Sequence, residues 1–493
     1  MHLVLIATSG NQRYIFASNR LREAVGASHL IASATTSWVE EALASTGGTV
    51  LQASSGSTLA LAPDAAAARR LARAVTMRAL REAPGLSVQA VGVPIAGERP
   101  TADEVGSVFA EFGRHVAARA SETARHQRLP IVAACHSTDL PARSWHADRD
   151  AELRGDPDED LRPRPLSAAA IAKRDARPAA RAALAARLPG HRPVALHRFA
   201  DSVDWVGIVH ADGNRLGEFF RAAVSALDGD TGAVSAQVQQ AADAALRDAA
   251  GHLAELVGAG RALPLVPLIV GGDDLTVLVD GAVALPFVEH YLDAFAHRSA
   301  AQPLIRRVTD AVGLTASAGV ALVKPHFPFS VGYRLGEELA ASAKVLARAH
   351  PGTHGLDVHV LIDSRVTGLE AIRAGYGAHG RLLTERPYLL GTDATAAPPD
   401  RDWKPARERM RLVAGVPRSG EGLLVTRTQL YALRGEVRHD PVLARRRLAD
   451  LDTRVPAHGT DRARLDALRG ADGLAPGLLD LLELGEFVPA VSA

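Results

Sequence analysis

Asp273 and Asp274 are adjacent, and two apolar runs, Leu265–Val270 and Leu275–Val279, flank them through Gly271 and Gly272. Such a pattern reads as two buried strands meeting at a tight turn, where glycine supplies the positive φ and lets a triphosphate approach the backbone. Adjacent carboxylates repel each other and hold their protons unless a cation compensates them. An exposed polar turn is the plain alternative, but the apolar flanks set this tip at the edge of a core. Upstream, Asp212 ends the apolar run Val206–Val209, and strand ends are where αβ folds bind ligands. If that strand pairs beside the hairpin, Asp212, Asp273 and Asp274 converge. Three hard oxygen donors suit Mg²⁺ or Mn²⁺. Two such ions, about 3.5–4 Å apart, are the usual arrangement for in-line attack on a phosphate. One would lower the pKa of a ribose hydroxyl and the other would neutralise a pyrophosphate leaving group. Asp212 and Asp274 are each open to a role as ligand or as local base.

The elements that must hold these groups alternate between strand and helix. Helices are expected over Leu216–Leu227 and Ala236–Val257 before the hairpin, and over Leu285–His297 after it. A strand over Leu314–Val323 and a helix over Arg334–Ala349, carrying Lys344, complete the unit. On that helix Lys344 is either a solvated charge or a point charge for β- and γ-phosphates.

The N-terminal part reads as a second copy. Strand Leu3–Ala7, helix Asn19–Ala34, hairpin strands Val50–Ala53 and Thr58–Ala62, helix Ala65–Glu82, strand Ser87–Val93 and helix Ala102–Arg125 follow in order. Ser9-Gly10-Asn11 matches Asp212-Gly213-Asn214, and Ser54-Ser55-Gly56-Ser57 matches Gly271-Gly272-Asp273-Asp274. Wherever the later copy has a carboxylate, the earlier has Ser or Gly. His146–Pro165 reads as an exposed loop, and the stretch beyond Asp393 as mostly helical, with Leu474–Leu484 as packing surface.

Lys plus Arg total 56 and Asp plus Glu 55, a net charge of +1 in 493 residues. Affinity for nucleic acid usually brings a basic excess, so any basic surface here is local, and Arg445–Arg447 reads first as a solvated helix face. One cysteine, Cys135, excludes a disulfide framework and suits a reducing compartment. The run Leu3–Ala7 is too short for a signal-peptide core, and no stretch approaches the ~20 apolar residues of a membrane span. A cytoplasmic protein without membrane contact is expected.

Ala211-Asp212-Gly213-Asn214, the Gly-Gly-Asp-Asp hairpin, Thr315-Ala316-Ser317-Ala318-Gly319-Val320 and Ala343-Lys344 come in an order that resembles the large subunit of type III CRISPR effector complexes. The run from Asn11 to Phe16, followed by Gly26-Ala27-Ser28, resembles that group's first palm. The resemblance covers roughly residues 1–125 and 201–390. It implies an α+β fold with two ferredoxin-like palm domains related to the GGDEF cyclases, the first degenerate, and a helical C-terminal region. The expected divisions are 1–128 for the first palm, 129–200 for a linker or helical insert, 201–390 for the catalytic palm and 391–493 for the helical domain.

In that family the second palm makes cyclic oligoadenylate from ATP. The resemblance therefore implies a nucleotidyltransferase that cyclises ATP or another NTP, with a place in antiviral defence. Asp212, Asp273 and Asp274 would hold two ions, and Gly213, Asn214, Gly271, Gly272, Ser317 and Lys344 would line the nucleotide site. Ser54, Ser55, Gly56 and Ser57 would hold a facing nucleotide without metal. The alternative is a nucleotide-binding sensor or scaffold, or a subunit of an RNA-guided complex, with a protein partner docked on the helical region. The chain lacks the family's multi-cysteine zinc site, having only Cys135-His136 there, so Cys135 is read as a small buried residue. It opens directly on the first palm, without the HD nuclease often found there, and is read as a stand-alone relative.

Overall fold

The computed structural model describes residues 1–18, 20–54, 56–118, 131–147, 162–191, 193–194, 199–226, 231–258, 260–309, 312–362, 368–378, 381–391, 398–414, 424–470 and 473–488. The N-terminal sheet consists of β1 (His2–Ser9), β2 (Thr49–Ser54), β3 (Ser57–Ala62) and β4 (Ser87–Pro94), in the order β2-β3-β1-β4. Every neighbouring pair is antiparallel. Side chains alternate across a strand, so Val4 and Ile6 pack under α2 (Leu21–Thr35), α3 (Ser37–Thr46) and α4 (Ala65–Glu82). Leu3 and Leu5 face the other way, against Val108 of α5 (Ala102–Ala118). A short α1 (Asn11–Ile15) precedes α2.

A small module follows, with β5 (Ser144–His146) paired to β6 (Arg164–Leu166), then α6 (Ala168–Asp175) and α7 (Arg177–Arg187). Cys135 is buried there beside Leu166 and Ala170, as a small core residue.

The second sheet is larger. Its strands are β7 (Val206–Gly213), β8 (Leu265–Gly271), β9 (Asp274–Asp280), β10 (Ala316–Val323), β11 (His354–Val360) and, beyond the small ribbon of β12 (Gly377–Ala378) and β13 (Arg381–Leu382), β14 (Tyr388–Leu390). Their order is β14-β11-β10-β7-β9-β8. The four strands β8-β9-β7-β10 repeat the order β2-β3-β1-β4 of the first sheet. One face, with Val209, Ala211, Val277 and Val320, packs on α9 (Thr231–Val257) and α10 (Gly281–Ala300). The other, with Ile208, Leu278 and Ala321, packs on α12 (Phe329–Ala349). Between them in sequence lie α8 (Leu216–Ala226) and α11 (Pro303–Thr309), with α13 (Leu369–Ala374) after β11. Helices α14 (Trp403–Ala414), α15 (Arg427–His439), α16 (Pro441–Asp452), α17 (Thr460–Arg469) and α18 (Leu478–Leu484) share the same continuous core as the second sheet. Their junction with it also holds buried ion pairs of Arg386 with Asp480 and Glu483, both at 2.8 Å. Among the described residues, no helix is long and apolar enough to cross a membrane.

Several elements differ from the expectation. Helix α3 and strand β11 are additional. Strand β11 reads His-Gly-Leu-Asp-Val-His-Val, polar in letters yet fully buried, because Arg373 pairs with Asp357 and Tyr376 meets His359. Helix α12 starts at Phe329, five residues before Arg334, and α9 starts at Thr231. Helix α10 starts at Gly281 rather than Leu285, with Asp280 accepting from the Ala282 N–H at 3.0 Å. Asn19, Ser55 and Leu227 lie outside the described residues. Part of the expected loop His146–Pro165 is the β5–β6 pairing.

The strand register also corrects the match between the copies. Ser54 pairs with Ser57 and Gly271 with Asp274 at the two hairpin ends, so Ser57 corresponds to Asp274. Ser57 pairs across with Ala7, whereas the Asp274 end of β9 lies beside the Asp212 end of β7. Ala7 therefore stands where Asp212 does, two residues from the Ser9 that the motif suggested.

A carboxylate cluster with its own ammonium

Strand alternation decides which way the carboxylates face. On β7, Ile208, His210 and Asp212 share the face covered by α12, while Val209 and Ala211 share the other. Strand β9 pairs antiparallel with β7, with Thr276 opposite His210, so Asp274 lies on the same face beside Asp212. At the turn, Gly272 has φ +65°. It occupies the first central position of a two-residue hairpin loop, where a left-handed conformation calls for glycine. Asp273 follows it, and its Oδ2 accepts from the Gly213 N–H at 3.1 Å. Asp212, Asp273 and Asp274 each place a carboxylate oxygen within 4.8 Å of the others.

Helix α12 delivers a cation to this cluster. Gly319 of β10 lets it come close, because a Cβ there would lie 2.1 Å from the Gly336 carbonyl and 2.3 Å from the Ala340 nitrogen. Two turns further along the helix, the Lys344 ammonium donates to Asp212 Oδ2. Glu337, on the same helix, accepts from Gln12 of α1, so a polar contact joins the two halves near the cluster. The aromatic group Phe16, Phe329 and Tyr333 closes the junction, with ring centroids of Phe16 and Tyr333 4.1 Å apart. The β2 strand meets the start of α9, where a Cβ on Gly232 would fall 1.7 Å from the Leu51 carbonyl.

The electrostatics are those of a site short of positive charge. Asp273 is pushed up to about 8, first by burial, then by its hydrogen bond with Asp212 and the charge of Asp274. Asp274, the most exposed of the three, is pushed up to about 7, by desolvation first and the charge of Asp212 next, against the pull of Lys344. For Asp212 burial acts upward, but hydrogen bonds from Asp273 and Lys344 outweigh it and hold the carboxyl below its ordinary value. Lys344 thus favours the ionised form of Asp212, while burial and mutual repulsion favour protons on Asp273 and Asp274 that a divalent cation would displace. The all-oxygen donor set fits Mg²⁺ or Mn²⁺.

The other expected residues fall into three groups. Gly213, Gly271 and Gly272 lie at the cluster. Asn214 and Ser317 are buried beneath it: Ser317 donates to Asn214 Oδ1 at 2.8 Å, and Asn214 donates to Thr315 Oγ1 at 3.1 Å. They hold the end of β7 rather than an open surface. In the first sheet, the Gly56 N–H donates to Thr35 Oγ1 at 3.0 Å, and its carbonyl accepts from the Thr8 N–H at 2.8 Å. Two groups escaped the sequence reading. Glu337 had no motif to mark it. Gln239, whose Oε1 accepts from the Gly272 N–H, was signalled only as a polar residue beside the buried stripe Val234, Val238 and Ala242.

The comparisons agree with this geometry. Residues 205–349 match the family model described as Cas10/Cmr2, second palm domain. No curated protein matches the chain. Among solved structures, a Csm1–Csm4 cassette in complex with AMPPNP is similar at 14% identity and a TM-score of 0.53, covering 98% of this chain and 69% of that one. A Csm1–Csm4 cassette in complex with pppApA is similar at 15% identity and a TM-score of 0.50, with the same coverage of 98% and 69%. Residues 205–349 thus match a second palm domain of the Cas10/Cmr2 type, and the fold of the chain as a whole is similar to that of Csm1.

Proposed function

We propose that the second palm is a metal-dependent nucleotidyltransferase that converts ATP, or another nucleoside triphosphate, into a cyclic oligonucleotide or cyclic dinucleotide and releases pyrophosphate. The observation that carries this reading is the convergence of Asp212, Asp273 and Asp274 beside Lys344 at one end of the sheet. The similar Csm1 structures bound to AMPPNP and pppApA support a nucleotide as ligand.

In the reaction, a ribose hydroxyl oxygen bonds to the α-phosphorus of a second nucleotide, and the bond to pyrophosphate breaks. The hydroxyl proton passes to solvent or to a carboxylate of the cluster. Asp212, Asp273 and Asp274 would hold Mg²⁺ or Mn²⁺, which supplies Lewis acidity to the hydroxyl and charge neutralisation to the leaving group. Lys344 leaves Asp212 for the β- and γ-phosphates and acts as a mobile point charge. Gly271 and Gly272 keep the turn free of side chains where a triphosphate would lie. The first palm has Ala7 and Gly56-Ser57 in place of carboxylates and would hold a facing nucleotide without metal. The helical domain offers a surface for a protein partner.

Incubation with each NTP and with pairs of them, in Mg²⁺ or Mn²⁺, tests the reading by mass spectrometry of products. Pyrophosphate and a new oligonucleotide, absent in Asp273→Ala and Asp274→Ala, are expected. Nucleotide binding without product in every mixture would instead favour a sensor. Full activity in a Ser57→Trp variant would remove the first palm from the reaction.

A further inference from the structure

We propose that Gln239 is a positioning residue for the metal centre, clamping the turn that carries Asp273 and Asp274. The inference rests on the metal-dependent reading above. In a two-residue hairpin loop closed by the Gly271–Asp274 pair, the N–H of the first loop residue has no partner within the ladder. Gln239, reaching in from α9, gives that N–H of Gly272 its acceptor at 2.5 Å. On the far side of the turn, the Gly213 N–H holds Asp273 Oδ2 at 3.1 Å. The turn is thereby gripped from a helix and from a strand end, across a backbone whose first two residues have no side chains to fix it.

The amide has a cost that packing alone does not explain. Gln239 Nε2 is buried without a hydrogen-bond partner among the described residues. Methionine would fill the space without burying an unmatched donor. An amide is favoured here only if its oxygen is needed, and its oxygen is spent on the turn. The first sheet has a comparable grip without the chemistry, on the second residue of its loop rather than the first: Thr35 Oγ1, at the end of α2, accepts from the Gly56 N–H at 3.0 Å. That turn carries no carboxylates, so Thr35 separates a purely structural clamp from one that serves a metal site.

The test is a Mn²⁺ titration of the full chain without nucleotide, following free Mn²⁺ by electron paramagnetic resonance. Substitutions that disturb the support of metal ligands typically weaken affinity 10–100-fold, so Gln239→Met should raise the Mn²⁺ Kd by about tenfold or more. Gln239→Glu keeps an acceptor at the same reach and should recover most of that loss. Thr35→Val should lower the Tm and leave the Mn²⁺ Kd at its original value. If product formation is detected, Gln239→Met should lower kcat more than it changes the KM for nucleotide. A Kd for Gln239→Met within about twofold of the unaltered protein, or a Gln239→Glu variant as weak as Gln239→Met, overturns the proposal. Should Gln239→Met fail to fold, Gln239→Glu against Gln239→Asn carries the comparison, because Asn is one methylene too short to reach Gly272. An unaltered chain that binds no Mn²⁺ overturns the metal reading and the clamp together. One that binds Mn²⁺ while Gln239→Met binds it equally well overturns the clamp alone.

Discussion

The Lys344 ammonium bonds Asp212 across 132 residues of sequence, and this is the one direct cationic contact of a described residue with the carboxylate cluster. The pair stands where metal and phosphate charge would meet. If Lys344 is a phosphate ligand in turnover, Lys344→Met should lower kcat/KM for the nucleotide by roughly 10²-fold. Steady-state kinetics at saturating Mn²⁺ measure this, and an unchanged value would return Lys344 to a structural ion pair.

The cluster sets a pH dependence of stability in the metal-free protein. Asp273 at about 8 and Asp274 at about 7 both lie above the ordinary value of 3.8. The folded state therefore holds more protons than the unfolded state between pH 3.8 and about 8, and stability falls as pH rises through that window. Asp273→Asn should be the more stable protein at pH 9, on the order of 1–2 kcal/mol after allowance for solvent screening, with no advantage at pH 3.5. Saturating Mg²⁺ should shrink that difference, because bound metal displaces the same protons. Thermal melts of both proteins across pH, with and without Mg²⁺, decide the matter.

His354 produces a slope of opposite sign. It is fully buried, its Nδ1 accepts from the Ala316 N–H at 3.1 Å, and burial holds its pKa down at about 4. Between pH 4 and 6.5 the unfolded chain takes up a proton that the folded chain refuses, so stability is lost as pH falls through this window. His354→Gln should flatten the acid limb by on the order of 2–3 kcal/mol. Urea unfolding at pH 4.5 and 7 would register it, and equal slopes in both proteins would assign the acid limb elsewhere.

Gly319 sets the distance between α12 and the sheet. A methyl group would sit 2.1 Å from the Gly336 carbonyl, which belongs to backbone and cannot swing aside. Gly319→Ala should cost about 1–3 kcal/mol of stability. It should also weaken nucleotide binding by pushing Lys344 away from the cluster. Calorimetry and a nucleotide titration on the same sample separate the two effects, and a normal Tm would contradict the packing argument.

Sequence by itself determined the strands and turns that carry the chemistry. The Leu265–Val270 and Leu275–Val279 runs, with Gly-Gly-Asp-Asp between them, specify a hairpin because apolar strands and positive-φ glycines are local requirements. That the unit occurs twice was legible too, as matched turns in the same sequence order, and the strand order that repeats came from the structure. Its register was not. The motif aligned Ser9 with Asp212, and only cross-strand pairing put Ala7 there, because pairing is set by partners far along the chain. Strand β11 was hidden for the same reason: it carries the polar letters Asp357 and His359, whose burial depends on pairing with Arg373 and Tyr376. Tertiary structure alone buried Asn214 and Ser317 under the site, brought Lys344 to Asp212 and set Gln239 against Gly272. Each of these depends on where a helix lies over a sheet, and packing of distant side chains, not local propensity, fixes that position.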